Sequence, residues 1–577
     1  MEYSAIYHNA DKKQCFCLEK GRFLIRLKTK KDDLKKVVLH YQDKYIPVER
    51  LDTRVQKEMH KACSDKFCDY YEVEVEMDVV CLRYFFELTD YDGVVKYYSN
   101  HDFYNAPLTD TDYMYNCTQN LREEEMFEVP EWAKNKVVYQ IFPSRYATSK
   151  EVDEKIWYQT PIGPDADLKG DLRGIINHLD HLQELGIDII YMTPIFESPS
   201  THKYNTVDYY RIDPSFGTED DLKELVAKAH NMGMKVILDG VFNHTSRDFF
   251  AFKDILEKGK ESAYCDWYHI QEFPPKMEMG QKPNYKCFGY YGYMPKTNLQ
   301  NPDAAEYFIN VARYWVEKCD IDGWRLDVSD EVSHIFWRKF RRALKELKKD
   351  LLIIGEIWYH AEDFLDGEEW DTVMNYPFYF GMDDLFTKGR ITPSAFLGKM
   401  GYLEGNLHKD VIPVLWNLLD SHDTPRFLYR CGENVDKFKA AVALQLLWSG
   451  MPFIYYGDEY GLTGAQDPDC RRGMLWDEKY QNQEIYAWYR KLISLRKQIL
   501  CVTEGRIIKM EAYDEKGLVC VEKELDGGTV LMIFHVGGAA CSVEEAIGAE
   551  YIGKENLLTG KLFDGKLKEY DVILLMK

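Results

Sequence analysis

Over residues 1–125, polar and apolar positions alternate in short runs: Phe23-Leu-Ile-Arg-Leu, Val37-Val-Leu-His-Tyr, Tyr71-Glu-Val-Glu-Val-Glu and Leu82-Arg-Tyr-Phe-Phe-Glu-Leu. A period of two sends successive side chains to opposite faces of a strand. With turns such as Tyr91-Asp-Gly between the runs, the pattern predicts an antiparallel β-sandwich. The polar stretch Arg122-Glu-Glu-Glu, followed by Pro130, marks its end.

From 126 to 500 the pattern becomes strand, loop, helix, repeated. Apolar runs predict strands at 137–142, 187–193, 236–241, 323–328, 352–357, 372–376, 414–419 and 453–456. Stretches with 3.6-residue periodicity predict helices at 172–185, 221–231, 304–318, 331–348 and 435–448. Strands alternating with helices fit an α/β chain folded as a (β/α)8 TIM barrel. No Gly-x-Gly-x-x-Gly follows the first strand, which argues against an open dinucleotide-binding sheet. The connection after the third strand, about 245–300, is long and rich in Tyr, Phe, Pro and Lys, so it reads as a lid or small inserted domain. At 501–577 the alternation returns (507–513, 519–524, 530–536, 570–575), with a Leu525-Asp-Gly-Gly turn, and predicts a C-terminal β domain.

Composition narrows the function classes. A formal net charge of -23 argues against a nucleic-acid partner, whose phosphates demand basic surface. Aromatic residues make up 14% of the chain, and flat rings suit sugar faces as well as cores. No apolar run reaches the length of a membrane span, and Met1-Glu-Tyr-Ser-Ala-Ile-Tyr-His lacks the basic and apolar regions of a signal peptide. The 14 Cys are scattered; Cys15/Cys17 and Cys63/Cys68 do not form paired zinc patterns, and they read as thiols of a reducing compartment. The expectation is a cytoplasmic protein.

The chemistry gathers in four segments: Asp239-Gly-Val-Phe-Asn-His244, Gly323-Trp-Arg-Leu-Asp-Val328, Gly355-Glu-Ile-Trp358 and Leu419-Asp-Ser-His-Asp423. Each lies at the end of a predicted strand, where a parallel barrel builds its active site. Cleaving an acetal needs one acid to protonate the leaving oxygen and one carboxylate facing the anomeric carbon. Asp327, Glu356 and Asp423 are the candidates. Arg325 precedes Asp327 by two residues, so both side chains point into the barrel, and its guanidinium is expected to keep Asp327 ionised. Neighbouring carboxylates are expected to keep Glu356 protonated, as a general acid requires. His244 and His422 can donate hydrogen bonds to sugar hydroxyls. Asp239 and Asn243 read as structural.

In this order the four segments resemble the signature regions of the α-amylase family of glycoside hydrolases. Val137-Val-Tyr-Gln-Ile-Phe-Pro, Thr193-Pro-Ile-Phe-Glu-Ser-Pro, His202-Lys-Tyr, Met294-Pro-Lys-Thr-Asn298 and Asp467-Pro-Asp-Cys-Arg471 extend the resemblance. They are similar to the branch containing neopullulanase, cyclomaltodextrinase and maltogenic amylase, with its extra N-terminal domain. The resemblance implies Asp327 as nucleophile, Glu356 as acid/base and Asp423 as the carboxylate steadying the distorted sugar. It implies His244, Arg325, His422, Asp467 and Arg471 as substrate-binding residues, with Tyr204 as an aromatic platform and Glu331, a residue that fits the branch, as a further binding residue. The implied activity is retaining hydrolysis of α-1,4 bonds in cyclodextrins, maltooligosaccharides and pullulan. It also implies a homodimer formed through the N-terminal domain.

Three positions depart from the family pattern. Calcium-binding members carry oxygen ligands where this chain has Pro143-Ser-Arg-Tyr-Ala-Thr-Ser-Lys150; Asp171 is the ligand that remains, so no metal or other cofactor is expected. Tyr359 stands in place of a common His, and Asn205 in place of a common Asp. Two rival readings share the motifs: a glucanotransferase using the same intermediate, and a non-catalytic glucan-binding or transporter-partner barrel. The three acids and the lack of a membrane span weigh against the second.

Overall fold

The computed structural model describes residues 1–577 except 11–12, 48–52, 118–126, 165, 278–281 and 544–546. The expected boundary at Arg122-Glu-Glu-Glu lies outside the described residues. The chain forms two compact units.

The first unit comprises residues 1–128 together with 362–367 and 394–412. Two antiparallel sheets build it. One runs Cys15–Glu19, Arg22–Lys30, Cys68–Glu76, His60–Ser64. The other runs Val55–Glu58, Leu34–Asp43, Leu82–Asp90, Val95–Tyr98, Phe103–Tyr104, with Tyr115–Cys117 added against Leu82–Asp90. The alternation seen in the sequence is what buries Ile25, Leu27, Val73, Val75, Phe86 and Leu88 in one apolar core. A helix, Pro393–Asn406, supplies a third segment from far along the chain. Its glycines make close approach possible: a Cβ on Gly401 would lie 2.0 Å from the Ser64 carbonyl oxygen, and one on Gly405 2.6 Å from the Tyr70 ring. Asn406 Nδ2 donates to the Tyr70 hydroxyl at 2.9 Å, and buried Arg26 donates from Nη1 to the Leu407 carbonyl at 2.9 Å.

The second unit holds the barrel. Its strands are β1 (Val138–Ile141), β2 (Ile189–Met192), β3 (Lys235–Gly240), β4 (Gly323–Leu326), β5 (Leu352–Gly355), β6 (Thr372–Val373), β7 (Trp416–Leu418) and β8 (Met451–Tyr455). They pair in the order β6-β5-β4-β3-β2-β1-β8-β7, all parallel, and a parallel bridge between Met374 and Trp416 closes the ring. The strands are almost wholly buried on both faces, which is why their sequences read as continuous apolar runs. Register sets the site. Asp239 pairs with Arg325 and Leu326 with Gly355, so Asp327 and Glu356 emerge one step beyond neighbouring strand ends.

Several expected elements differ in detail. The helix expected at 172–185 is two, Leu172–Asn177 and Leu179–Leu185, broken at His178, whose φ of -118° is not helical. The strand expected at 372–376 stops at Val373, because Asn375 caps a new helix, Tyr376–Met382, by accepting from the Phe378 N–H. The helix expected from 331 begins at His334, after a 3-10 turn at Ser329–Glu331. Among its described residues, the stretch 245–300 contains the α-helix Phe250–Lys258, two short 3-10 turns and isolated bridges such as Tyr268–Thr297. The C-terminal part forms a four-stranded antiparallel sheet of Arg506–Tyr513, Leu518–Leu525, Gly528–His535 and Val572–Met576. Its expected hairpin turns through Asp526 and Gly527, both at positive φ.

Candidate active site

At the C-terminal end of the barrel strands a cavity of about 800 Å³ opens to solvent. Asp327, Glu356 and Asp423 line it, from beyond β4, β5 and β7, with Tyr204, His244, Asp467 and Arg471 around them. Arg325 and His422 lie buried, reaching the lining through hydrogen bonds and ion pairs. Glu331 does not line the cavity. It is half exposed and pairs with Lys296 at 3.0 Å.

Arg325 is the organising charge. Its Nη1 donates to both Asp239 oxygens at 3.1 Å and to Asp327 Oδ1 at 3.0 Å, while Nη2 lies 2.9 Å from Glu356 Oε2. One buried guanidinium therefore faces three buried carboxyl groups, and three negative charges against one positive favour retaining a proton. Burial first, and the Glu356 carboxylate second, push Asp327 well above the ordinary carboxylate range, against the pull of Arg325. Asp239 is pushed up to about 6, again by burial. The expectation that Arg325 would simply hold Asp327 ionised is corrected here: its positive charge is shared three ways.

Asp239 does more than anchor a loop. Besides binding Arg325 it accepts from the Tyr191 hydroxyl at 2.6 Å and the Tyr204 hydroxyl at 3.0 Å, fixing the tyrosine that lines the cavity. Gln140 donates from Nε2 to His422 Nδ1 at 2.7 Å. This leaves Nε2 of His422 as the N–H, 2.6 Å from the Tyr204 oxygen and 3.2 Å from Asp423 Oδ2. Burial holds His422 well below its usual range, so it is neutral. His244 is likewise neutral, lowered to about 3 by burial, and donates from Nε2 to the Tyr204 carbonyl at 3.1 Å, with Asp327 Oδ2 4.0 Å away. Arg471 donates from Nε to the His422 carbonyl at 2.8 Å, pairs with Asp467 at 2.8 Å and reaches Asp423 Oδ1 at 3.4 Å.

Val328, a β-branched residue, has φ 46° and ψ 43°. That left-handed conformation is costly, and it turns the Val328 N–H onto Glu356 Oε2 at 2.9 Å. Trp358 donates from Nε1 to Glu356 Oε1 at 3.0 Å, and Tyr359 donates to Asp330 Oδ2 at 2.6 Å. Asn205 accepts from the Ser198 hydroxyl at 2.8 Å and from Ser200. The sequence reading did not single out Asp330, Trp358, Phe288, Tyr291 and Tyr293 as site residues, although all line the cavity. The last three sit in the long stretch after β3, whose aromatic richness was the signal.

Near β1, Asp171, the acid that remains of the calcium pattern, is already engaged. Lys150 Nζ donates to the Ser215 carbonyl at 2.7 Å and lies 3.5 Å from Asp171 Oδ2. Asp171 already accepts from the Ser149 hydroxyl at 2.7 Å and the Gly174 N–H at 2.7 Å. An ammonium thus stands beside the Asp171 carboxylate. Among the described residues, no cluster of His, Cys, Asp and Glu suits a metal.

Chemically, the cavity sets paired carboxyl groups, one on each of two adjacent strand ends, beside a third acid and a fixed cation, under neutral imidazole donors and an aromatic wall. That arrangement can protonate a leaving oxygen and trap an oxocarbenium-like centre. Residues 140–505 match the family model described as alpha amylase, catalytic domain, and residues 1–120 the one described as alpha amylase, N-terminal ig-like domain. A cyclomaltodextrinase of Geobacillus thermopakistaniensis is 40% identical over 98% of this chain and 96% of its own. Neopullulanase 2 of Thermoactinomyces vulgaris is 39% identical over 98% of this chain and 97% of its own. A solved cyclomaltodextrinase structure superposes with a TM-score of 0.89 at 36% identity, over 93% of this chain and 92% of that one.

Proposed function

The chain belongs to the α-amylase family of glycoside hydrolases, and from that membership we propose how this α-glucan hydrolase works and on what. Asp327 attacks the anomeric carbon, the glycosidic bond breaks, and the departing oxygen takes a proton from Glu356. Glu356 then removes a proton from water, which cleaves the ester to Asp327 with overall retention. Asp423, held at the cavity wall near Arg471 and His422, braces the charged sugar ring. The observation that carries the reading is the convergence of Asp327, Glu356 and Asp423 in one cavity.

The substrates proposed are cyclodextrins, short maltooligosaccharides and pullulan, in line with the names of the relatives above. The open aromatic rim of Tyr291, Tyr293 and Trp358 also supports transfer to a sugar acceptor as a side reaction. A cytoplasmic address is supported by the cysteines, none of which is disulfide-bonded among the described residues; no described helix is long and apolar enough to cross a membrane. Exposed Tyr91 and Val94 on the first unit support a homodimer formed through it.

Asp327→Asn should fold normally and lose about three or more orders of magnitude in kcat on maltooligosaccharides. Retention of more than about a tenth of kcat would remove Asp327 from the role. Product profiles on β-cyclodextrin, pullulan and soluble starch, with and without added maltose, separate the substrate preferences and hydrolysis from transfer.

A further inference from the structure

Asp423 follows β7, while Asp467 and Arg471 follow β8, and the three meet in the cavity. A buried side chain that does not line the cavity ties the two segments together. Arg426, after β7, is fully buried, and its backbone N–H donates to the Gly464 carbonyl at 3.0 Å. Its Nε donates to the Cys470 carbonyl at 2.9 Å, and its Nη1 to the Tyr456 carbonyl at 2.6 Å and Asp458 Oδ1 at 2.8 Å. The guanidinium also lies 3.8 Å from the centre of the Tyr455 ring. A buried cation needs a counter-charge. Asp458 supplies it, and is hydrogen-bonded in turn to the buried Asp420 carboxyl, which accepts the Phe427 N–H at 2.6 Å. Two carboxyl groups in hydrogen-bond contact hold a proton between them, so the pair sets one negative charge against one positive.

Among these acceptors the Cys470 carbonyl bears on the site. Cys470 immediately precedes Arg471 in the 3-10 turn Asp469–Arg471. Arg471 donates to the His422 carbonyl and faces Asp467 at 2.8 Å and Asp423 at 3.4 Å, so a displaced Cys470 carbonyl displaces the guanidinium that faces both acids. We propose that Arg426 is a positioning residue that acts through Arg471. By fixing the Cys470 carbonyl it sets the Arg471 guanidinium between Asp467 and Asp423, and with it the part of the sugar site those three groups form. The Asp420–Asp458 pair keeps Arg426 in place. The inference rests on the roles given above to Asp423, Asp467 and Arg471. A residue that only held the fold would cost the same whatever side chain stood at position 471.

A double-mutant cycle separates the two. Arg426→Lys keeps a cation facing Asp458 but lacks the fork that holds Cys470, Tyr456 and Asp458 at once. In the otherwise unchanged protein it should lower kcat/KM on short maltooligosaccharides about tenfold. In the Arg471→Ala background the same change should cost less than about twofold, because the group it positions is gone. In a Trp358→Phe background, on another part of the cavity wall, the loss should again be about tenfold. Should Arg426→Lys not fold, Asp458→Asn reads the same cycle. Its neutral amide still accepts from Nη1 but holds the guanidinium less strongly, so it should cost about threefold, and nothing measurable beside Arg471→Ala. Equal losses with and without Arg471, in either folded variant, overturn the inference and leave Arg426 a structural residue. Failure of the underlying roles reads differently: Arg471→Ala alone would then keep the wild-type kcat/KM, and the inference would fall with them.

Discussion

Three histidines show what burial does to single groups. His244 and His8 are lowered to about 3 and His202 to about 4, in each case by burial first. His8 is fixed by donating from Nδ1 to the Arg26 carbonyl at 2.6 Å and accepting the Tyr84 hydroxyl at 2.7 Å. In the unfolded chain each titrates near 6.5, so between there and the folded value the unfolded state binds more protons. Stability from these groups is complete above about pH 6.5 and falls as pH drops, by at most about 1.4 kcal/mol per pH unit for each. Asp239, raised to about 6, acts oppositely below that pH and offsets part of the loss. Urea midpoints should therefore decline from pH 7 to pH 5, with a shallower decline in His202→Gln. An equal midpoint at both pH values would contradict it. None of these values was legible in the sequence, because burial is a property of the assembled surroundings. The acids themselves were legible, since a polar residue ending an apolar run marks a strand's C-terminus. That Asp239, Asp327 and Glu356 share one guanidinium depended on strand register, which local pattern does not specify.

Helices and strands followed the apolar periodicity wherever one face met a core. The pattern failed where another interaction governed the backbone. His178 interrupts a helix whose apolar residues continue in phase, its ring bonded to the Gly174 carbonyl at 2.8 Å. Pro393–Asn406 escaped notice because Gly398, Gly401 and Gly405 are poor helix formers that mask the spacing of buried Phe396, Met400 and Leu403. The Lys150 segment is an element-scale device too. Its ammonium ties the turn after Pro143–Tyr146 to the Ser215 carbonyl and the N-cap Asp171. We expect a chelator to leave both Tm and activity unchanged. Lys150→Ala should lower Tm only slightly, by about 1 °C or less, as an exposed ion pair worth at most about 1 kcal/mol is lost beside Asp171. A Tm drop on chelation that calcium restores would reveal a metal site elsewhere.

At the scale of the whole molecule, the barrel, the β-sandwich and the C-terminal sheet were all foreseeable as strand counts and periods. The way the chain is apportioned among them was not. Residues 394–412 are encoded between β6 and β7, yet they pack within the unit that begins at Met1. Their fit is tight at Ser64 and Tyr70, where even one added carbon would collide with the Ser64 carbonyl or the Tyr70 ring. Removing residues 1–128 is thus not the clean subtraction that the linear order invites. The shortened protein should expose a glycine-lined helix whose partner is gone, bind an apolar dye and aggregate at lower temperature than the full chain. If it instead stays monodisperse with an unchanged Tm, that helix needs no partner. For anyone building chimaeras, the transferable piece is a three-part graft, and a crossover placed at the sandwich boundary would bring an N-terminal module from one parent against a docking helix from the other.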